Sequence, residues 1–191
     1  SLPVLIIKDR RSKSIWSAPV PKKGVEHPYP ARKLLEILDS TGYKRVVVKS
    51  DQEPAILALK KAARIEALAE CIIPEMSPVG ESQSNGEVEG TVDLVKGKIR
   101  TLRLSLQSRY HTIITGDHLI VPWMIREGAE YINRFQVGED GKTRYERLHG
   151  KKFKREIAEF AECIYYLSLK SKGKFTFDER WHGGCLLYTS D

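Results

Sequence analysis

The sequence is poor in cysteine, and the few it has are badly placed for metal chemistry. Cys71, Cys163 and Cys185 stand far apart in 191 residues, with no Cys-x-x-Cys pair and no Cys/His cluster. That argues against a zinc site. Cys71 and Cys163 read as small buried apolar residues in a reducing compartment. A run of about 18 apolar residues is also missing, so nothing reads as a membrane span. The opening Ser1-Leu2-Pro3-Val4-Leu5-Ile6-Ile7 is a short apolar strand with no basic leader, unlike a signal peptide. It has no initiating Met, so the expectation is that the chain begins inside a longer protein. No internal repeat is present.

What is there is an ordinary globular mixture. A hydrophobic fraction of 41% and a charged fraction of 30% argue against a disordered tail. The length suits one sizeable domain, or one domain and a small appendage. The formal net charge of +7 is compatible with a polyanionic partner and equally with a generic basic protein.

Residues 3–8 and 14–20 read as two strands of a hairpin joined by the polar turn Asp9 to Lys13, with Pro19 marking an edge or an end. A helix is predicted over 29–40, from the spacing of Leu34, Leu35 and Leu38, and Gly42 ends it. Residues 45–50 form a short β-branched strand with Asp51 at its C-terminal end. A helix of about 53–68, a strand over 69–75 and a loop over 76–86 follow. Long helices are predicted over about 85–108 and 119–136. This order predicts an α/β fold in which 3–8, 14–20, 45–50 and 69–75 share a mixed sheet with helices on both faces. Residues 151–184 read as a small β-rich appendage, with strand-like 160–169 and 174–177 around Lys172-Gly173.

Two carboxylates are placed unusually. Asp51 ends an apolar strand, and strand tips of α/β sheets are where reactive groups gather. Glu89 lies in the first turns of the long helix. On that helix Val88, Val92, Val95, Ile99, Leu102 and Leu106 form one apolar stripe. Glu89, Asp93, Lys96, Arg100 and Arg103 form the flank beside it, a carboxylate followed by cations. A charged flank is commonly just solvated surface, and an Asp after a strand is commonly a cap.

The motifs go further. Ser50-Asp51-Gln52-Glu53 resembles the segment around the second catalytic Asp of retroviral-type integrases. Ser77-Pro78 with Gln83-Ser84-Asn85-Gly86-Glu87-Val88-Glu89 is similar to the family's Ser-Pro…Gln-Ser-Asn-Gly-x-x-Glu segment, which ends on the third catalytic carboxylate. Asp51 and Glu89 are 38 positions apart, close to the family's spacing. Residues 3–23 resemble the family's second and third strands. The segment Asp140 to Lys152 is similar to a Gly-x-Thr-Pro-Tyr-Glu motif found downstream of the core in retrotransposon polyproteins, with Arg144 in place of the Pro. The likeness covers about residues 3–184.

This resemblance implies a ribonuclease-H-like fold over 1–150 and a metal-dependent polynucleotidyl transferase that processes DNA 3′ ends and joins them to target DNA. It implies Asp51 and Glu89 as ligands of Mg²⁺ or Mn²⁺, two ions in the complete enzyme, and Asn85, Gly86, Lys96, Arg100 and Arg103 as DNA-binding residues. The partners implied are DNA, as element ends and target, and further copies of the chain; the location implied is the nucleus of a eukaryotic host. The first catalytic Asp would lie on a strand ahead of residue 3, so the site is incomplete within these residues. Asp9 is the alternative, but it falls in the hairpin turn. Glu87 competes with Glu89; the two point about 200° apart on a helix, and the Gly-x-x-Glu register selects Glu89. Residues 185–191 read like the translation of a sequencing-library transposon adaptor. Two other functions stay open: a non-catalytic nucleic-acid-binding remnant of a decayed element, and a ribonuclease-H-like nuclease.

Overall fold

Residues 2–50, 52–66, 72–76, 82–155, 158–167 and 180–187 are described by the computed structural model. The first element pair is the expected hairpin. Strand β1 (Val4–Lys8) pairs antiparallel with β2 (Ile15–Pro19), Ile6 opposite Ser17. Its turn is built around Asp9. That carboxylate accepts from the amides of Arg11 and Ser12 and the Ser12 hydroxyl, at 3.1, 2.9 and 2.6 Å.

Helix α1 (Tyr29–Ser40) starts with Pro30 in its first turn, where a missing N–H costs nothing. Gly42 follows with φ +69°, a left-handed conformation that lets the chain reverse into β3 (Val46–Ser50). Helix α2 (Pro54–Glu66) then crosses to β4 (Ile72–Met76), which pairs parallel with β3, Val47 opposite Ile73. The 29-residue α3 (Ser82–Tyr110) and the 15-residue α4 (Val121–Phe135) complete the core.

Alternation along β1 divides that core into layers. Leu5 and Ile7 pack with Ala31 and Leu34 of α1 and Leu59 and Ala63 of α2. Ile6, on the opposite face, joins Ile15, Val95 of α3 and Ala129 and Ile132 of α4. The β1–β2 pair therefore carries helices on both faces, as the sequence pattern requires.

One expectation is corrected. The four strands were read as one mixed sheet, yet among the described residues they form two separate pairs, β1–β2 and β3–β4. Among those residues no strand links β1 to β3, and β3 stands at the edge of its pair, not at the centre of a sheet.

The region after α4 also departs from expectation. Asp140 and Arg147 form a two-pronged ion pair, Nε to Oδ2 at 2.9 Å and Nη2 to Oδ1 at 2.5 Å. This pins the short helix α5 (Arg144–His149). Thr143 caps it by accepting from the Glu146 amide at 3.1 Å, and Gly150 closes it at φ +69°. Strand β5 (Cys163–Leu167) pairs antiparallel with β6 (Trp181–Cys185). The sequence pattern predicts the second strand at 174–177, which lies outside the described residues. Cys163, expected to be buried, is exposed; Cys71 is outside the described residues. Phe160 and Ala161, just before β5, pack with Leu106 of α3 and Met124 of α4.

Candidate functional site

The end of β3, the start of α3 and the β1–β2 turn converge on one groove of about 480 Å³. Ser50, the last residue of β3, lines it together with Glu87 and Glu89. Asp51 itself lies outside the described residues. Of its two described neighbours, Ser50 lines the groove, and Glu89 shares it.

The two competing glutamates differ in their partners. Glu87 is held by three cations of the hairpin: Lys8 Nζ at 3.0 Å, Lys13 Nζ at 3.2 Å and Arg10 Nε at 3.3 Å. The hydrogen bond from Lys8, helped by Lys13 and opposed by burial, lowers its pKa to about 2. Glu87 is therefore a structural anion that ties the hairpin to the first turns of α3. Glu89 is exposed, and among the described residues it has no ion-pair partner. Both glutamates reach the groove, but only Glu89 keeps its carboxylate uncommitted to protein cations. No local pattern in the sequence marks the Glu87 cluster, since Arg10 and Lys13 lie 77 and 74 positions from Glu87. Arg10, Arg11 and Lys13 looked only like a polar turn.

Asp9 is the turn's organiser. Besides its turn contacts it accepts from the Tyr43 hydroxyl at 2.8 Å. Burial alone would raise its pKa, but the bonds from Ser12 and Tyr43 outweigh it and the pKa falls. With both oxygens engaged by protein donors, it has little left to offer a cation.

The flank of α3 is as read from its spacing. Glu89, Asp93, Lys96, Arg100 and Arg103 are all exposed. On a helix rising 1.5 Å per residue, Lys96, Arg100 and Arg103 stand roughly 10, 16 and 21 Å along the axis from Glu89, within about 40° of one line. Lys96 is 3.8 Å from Asp93, and Arg103 Nε donates to Gln107 at 3.3 Å. Both contacts are surface ones that a ligand can outbid. Asn85 sits in the first turn of α3, though its side chain is outside the description. Gly86 is exposed, and a methyl group added there would meet nothing within 4 Å. Among the described residues, packing does not demand glycine at that point. Among the described residues no group of three or more His, Cys, Asp or Glu is placed to hold a metal ion.

No protein-family model matches the chain, and no curated protein matches it in sequence. Solved structures do. A chain of the simian T-cell lymphotropic virus intasome, determined in complex with the PP2A regulatory subunit B56 gamma, superposes with a TM-score of 0.56 at 18% identity. That match covers 95% of this chain and 60% of the other, so the chain spans three-fifths of the viral protein's length. The catalytic core domain of BIV integrase superposes with a TM-score of 0.53 at 19% identity, over 77% of this chain and 85% of that domain. The mixed α/β fold is that of a retroviral integrase catalytic core.

Proposed function

We propose that this chain is the integrase core of a retroelement, and that its chemistry is metal-dependent cutting and joining of DNA. The observation that carries the reading is the meeting of Ser50, next to Asp51, with the uncommitted Glu89 on one groove of an integrase-type fold. Carboxylates are the right donors for a hard cation such as Mg²⁺. Asp51 and Glu89 would hold it. When bound, divalent ions lower the cost of forming the attacking oxygen and of releasing the leaving oxygen of a phosphodiester. The chain's own residues supply the rest. Lys96, Arg100 and Arg103 offer phosphate contacts in a row leading away from Glu89, which positions DNA without reading its sequence. Gly86, open on its Cα side, leaves room for a DNA strand close to the first turns of α3. DNA ends and target DNA would be the partners, with further copies of the chain in the working assembly. Among the described residues no helix is long and apolar enough to cross a membrane.

The test is Mn²⁺ binding, read by paramagnetic broadening of backbone amide signals. Broadening centred on Ser50 and on the α3 turn around Glu89, abolished by Glu89→Gln and by Asp51→Asn, supports the assignment. If Glu87→Gln abolishes it and Glu89→Gln does not, the register is wrong. DNA binding that proceeds with no metal response in any variant favours the non-catalytic remnant instead.

A further inference from the structure

The β1–β2 turn carries more positive charge than the fold uses. Lys8, Arg10, Arg11 and Lys13 place four cations within six residues. Among the described residues, the carboxylates that engage this turn are Asp9 and Glu87, and they do so differently. Asp9 is directed into the turn: it accepts from the amides of Arg11 and Ser12 and from the hydroxyls of Ser12 and Tyr43. Three of the cations converge instead on Glu87. Lys8 Nζ and Lys13 Nζ stand 3.0 and 3.2 Å from its Oε1, and Arg10 Nε donates to its Oε2 at 3.3 Å.

The loop that presents these cations is fixed in shape. Ser12 and Ser14 are buried, with the Ser12 hydroxyl donating to that of Ser14 at 2.9 Å. Lys13 adopts φ +65°, a left-handed conformation that glycine or asparagine takes at lower cost. A lysine thus stands where the backbone favours an uncharged residue. The side chains of Arg10 and Lys13 keep 69% and 48% of their surface in solvent, so a ligand can reach them with the hairpin intact. Exposed ion pairs of this kind are weak and can be exchanged. Cations gathered around both oxygens of one carboxylate suit any anion that offers two oxygens on one centre. A phosphodiester offers two non-bridging oxygens and the same single charge. Lys8, Arg10 and Glu87 also line the groove that holds Ser50 and Glu89, so the cluster opens onto it.

We propose that the β1–β2 turn is a clamp for one backbone phosphate of a nucleic acid, and that Glu87 is its internal plug. The phosphate displaces the Glu87 carboxylate from Arg10 and Lys13 and takes its place, while the less exposed Lys8 keeps Glu87 against the hairpin. One anion replaces another on the same cations, so the net gain comes from counterions released by the nucleic acid. Such a contact fixes position and carries no sequence preference. The clamp rests on the DNA partner proposed above and not on the metal assignment. It stands on a different element from the α3 row of Lys96, Arg100 and Arg103.

The test is a double-mutant cycle on the full chain, with a short fluorescent DNA duplex as the probe, anisotropy over a range of salt as the readout, and circular dichroism to confirm that each variant is folded. Glu87→Gln removes the plug and leaves the cations. It is expected to tighten binding about three- to tenfold at low salt and to steepen the salt slope by about 1. Arg10→Gln with Lys13→Gln removes the clamp and is expected to weaken binding several-fold. In that background Glu87→Gln should have little further effect, because it acts through those cations. Arg10→Gln alone, at the most exposed of the three cations, should weaken binding in the same direction without disturbing the packing. An equal gain from Glu87→Gln in both backgrounds would mean that the carboxylate only repels DNA at a distance, and would overturn the clamp. Binding by the parent that none of these variants alters overturns the clamp and leaves the DNA partner standing. No binding by the parent or by any variant sinks the DNA reading and the clamp with it.

Discussion

Asn133 of α4 satisfies both main-chain polar groups of Ile15, accepting from its amide at 2.9 Å and donating to its carbonyl at 2.7 Å. Ile15 is fully buried and Asn133 nearly so. One side-chain amide therefore does for the outer edge of β2 what a neighbouring strand would do.

Asn133→Leu keeps the volume and removes both hydrogen bonds, leaving a buried amide and a buried carbonyl without partners. The expected cost is about 2–4 kcal/mol, read as a lower midpoint in urea with an unchanged slope. A loss below about 0.5 kcal/mol, the range of an ordinary surface change, would show that water replaces the side chain there.

Much of this architecture was legible because it is written locally. The Leu34, Leu35, Leu38 spacing and the glycine after it gave α1 the bounds 29–40 that the structure shows. The apolar stripe of α3 carries the fully buried Val95 and the nearly buried Leu106. The charged flank could be read from the same periodicity, as could the strand that leads to Asp51. What could not be read depends on residues distant in sequence. Whether β1 and β3 join one sheet is decided by what lies between them, and their own alternation is the same either way. Glu87 and Glu89 cannot be ranked by spacing alone, because the three cations that engage Glu87 come from the hairpin. Cys163 lies in a strand whose faces are both largely exposed, so a small apolar residue there was misjudged as core.

Glu127 is buried on α4, and its Oε2 has no hydrogen-bond partner among the described residues. Burial raises its pKa to about 7, with the Arg134 charge only partly opposing the rise. A carboxyl that keeps its proton in the fold but loses it near pH 4.5 when unfolded makes stability fall as pH rises from about 4.5 to about 7. Glu127→Gln removes that dependence. The variant is expected to match the parent near pH 4.5 and to exceed it at pH 8 by roughly 1–3 kcal/mol. Equal denaturation midpoints at both pH values would mean that Glu127 is charged and compensated at neutral pH.

Glu87 gives the opposite slope. Its pKa is lowered from 4.5 to about 2, first by the Lys8 hydrogen bond. The stabilisation it brings is complete above about pH 4.5 and disappears as pH falls toward 2. Because the cluster is partly solvated, Glu87→Gln is expected to cost only about 1 kcal/mol at neutral pH. The gap between variant and parent should close on acidification, followed by the fluorescence of Trp16 as the hairpin separates from α3. A gap that stays constant down to pH 2 would place the effect of Gln in packing and not in charge.

The row of cations on α3 makes a prediction that separates a DNA track from solvated surface. Lys96, Arg100 and Arg103 are exposed, lie along one line from Glu89, and have no deeply buried partner that would hold them in place. If they meet phosphates, each contact releases counterions from the duplex, and affinity falls with salt by a slope of about 0.9 per contact. Lys96→Glu should then weaken binding several-fold at low salt, by a similar factor on unrelated DNA sequences, and should lower the salt slope by about 1. Asp93→Asn is the complementary variant: it removes the carboxylate 3.8 Å from Lys96 and should strengthen binding at low salt. Fluorescence anisotropy over a range of salt concentrations measures both. An unchanged slope in Lys96→Glu, with affinity unaffected, would assign the flank to solvent and move the DNA path away from α3.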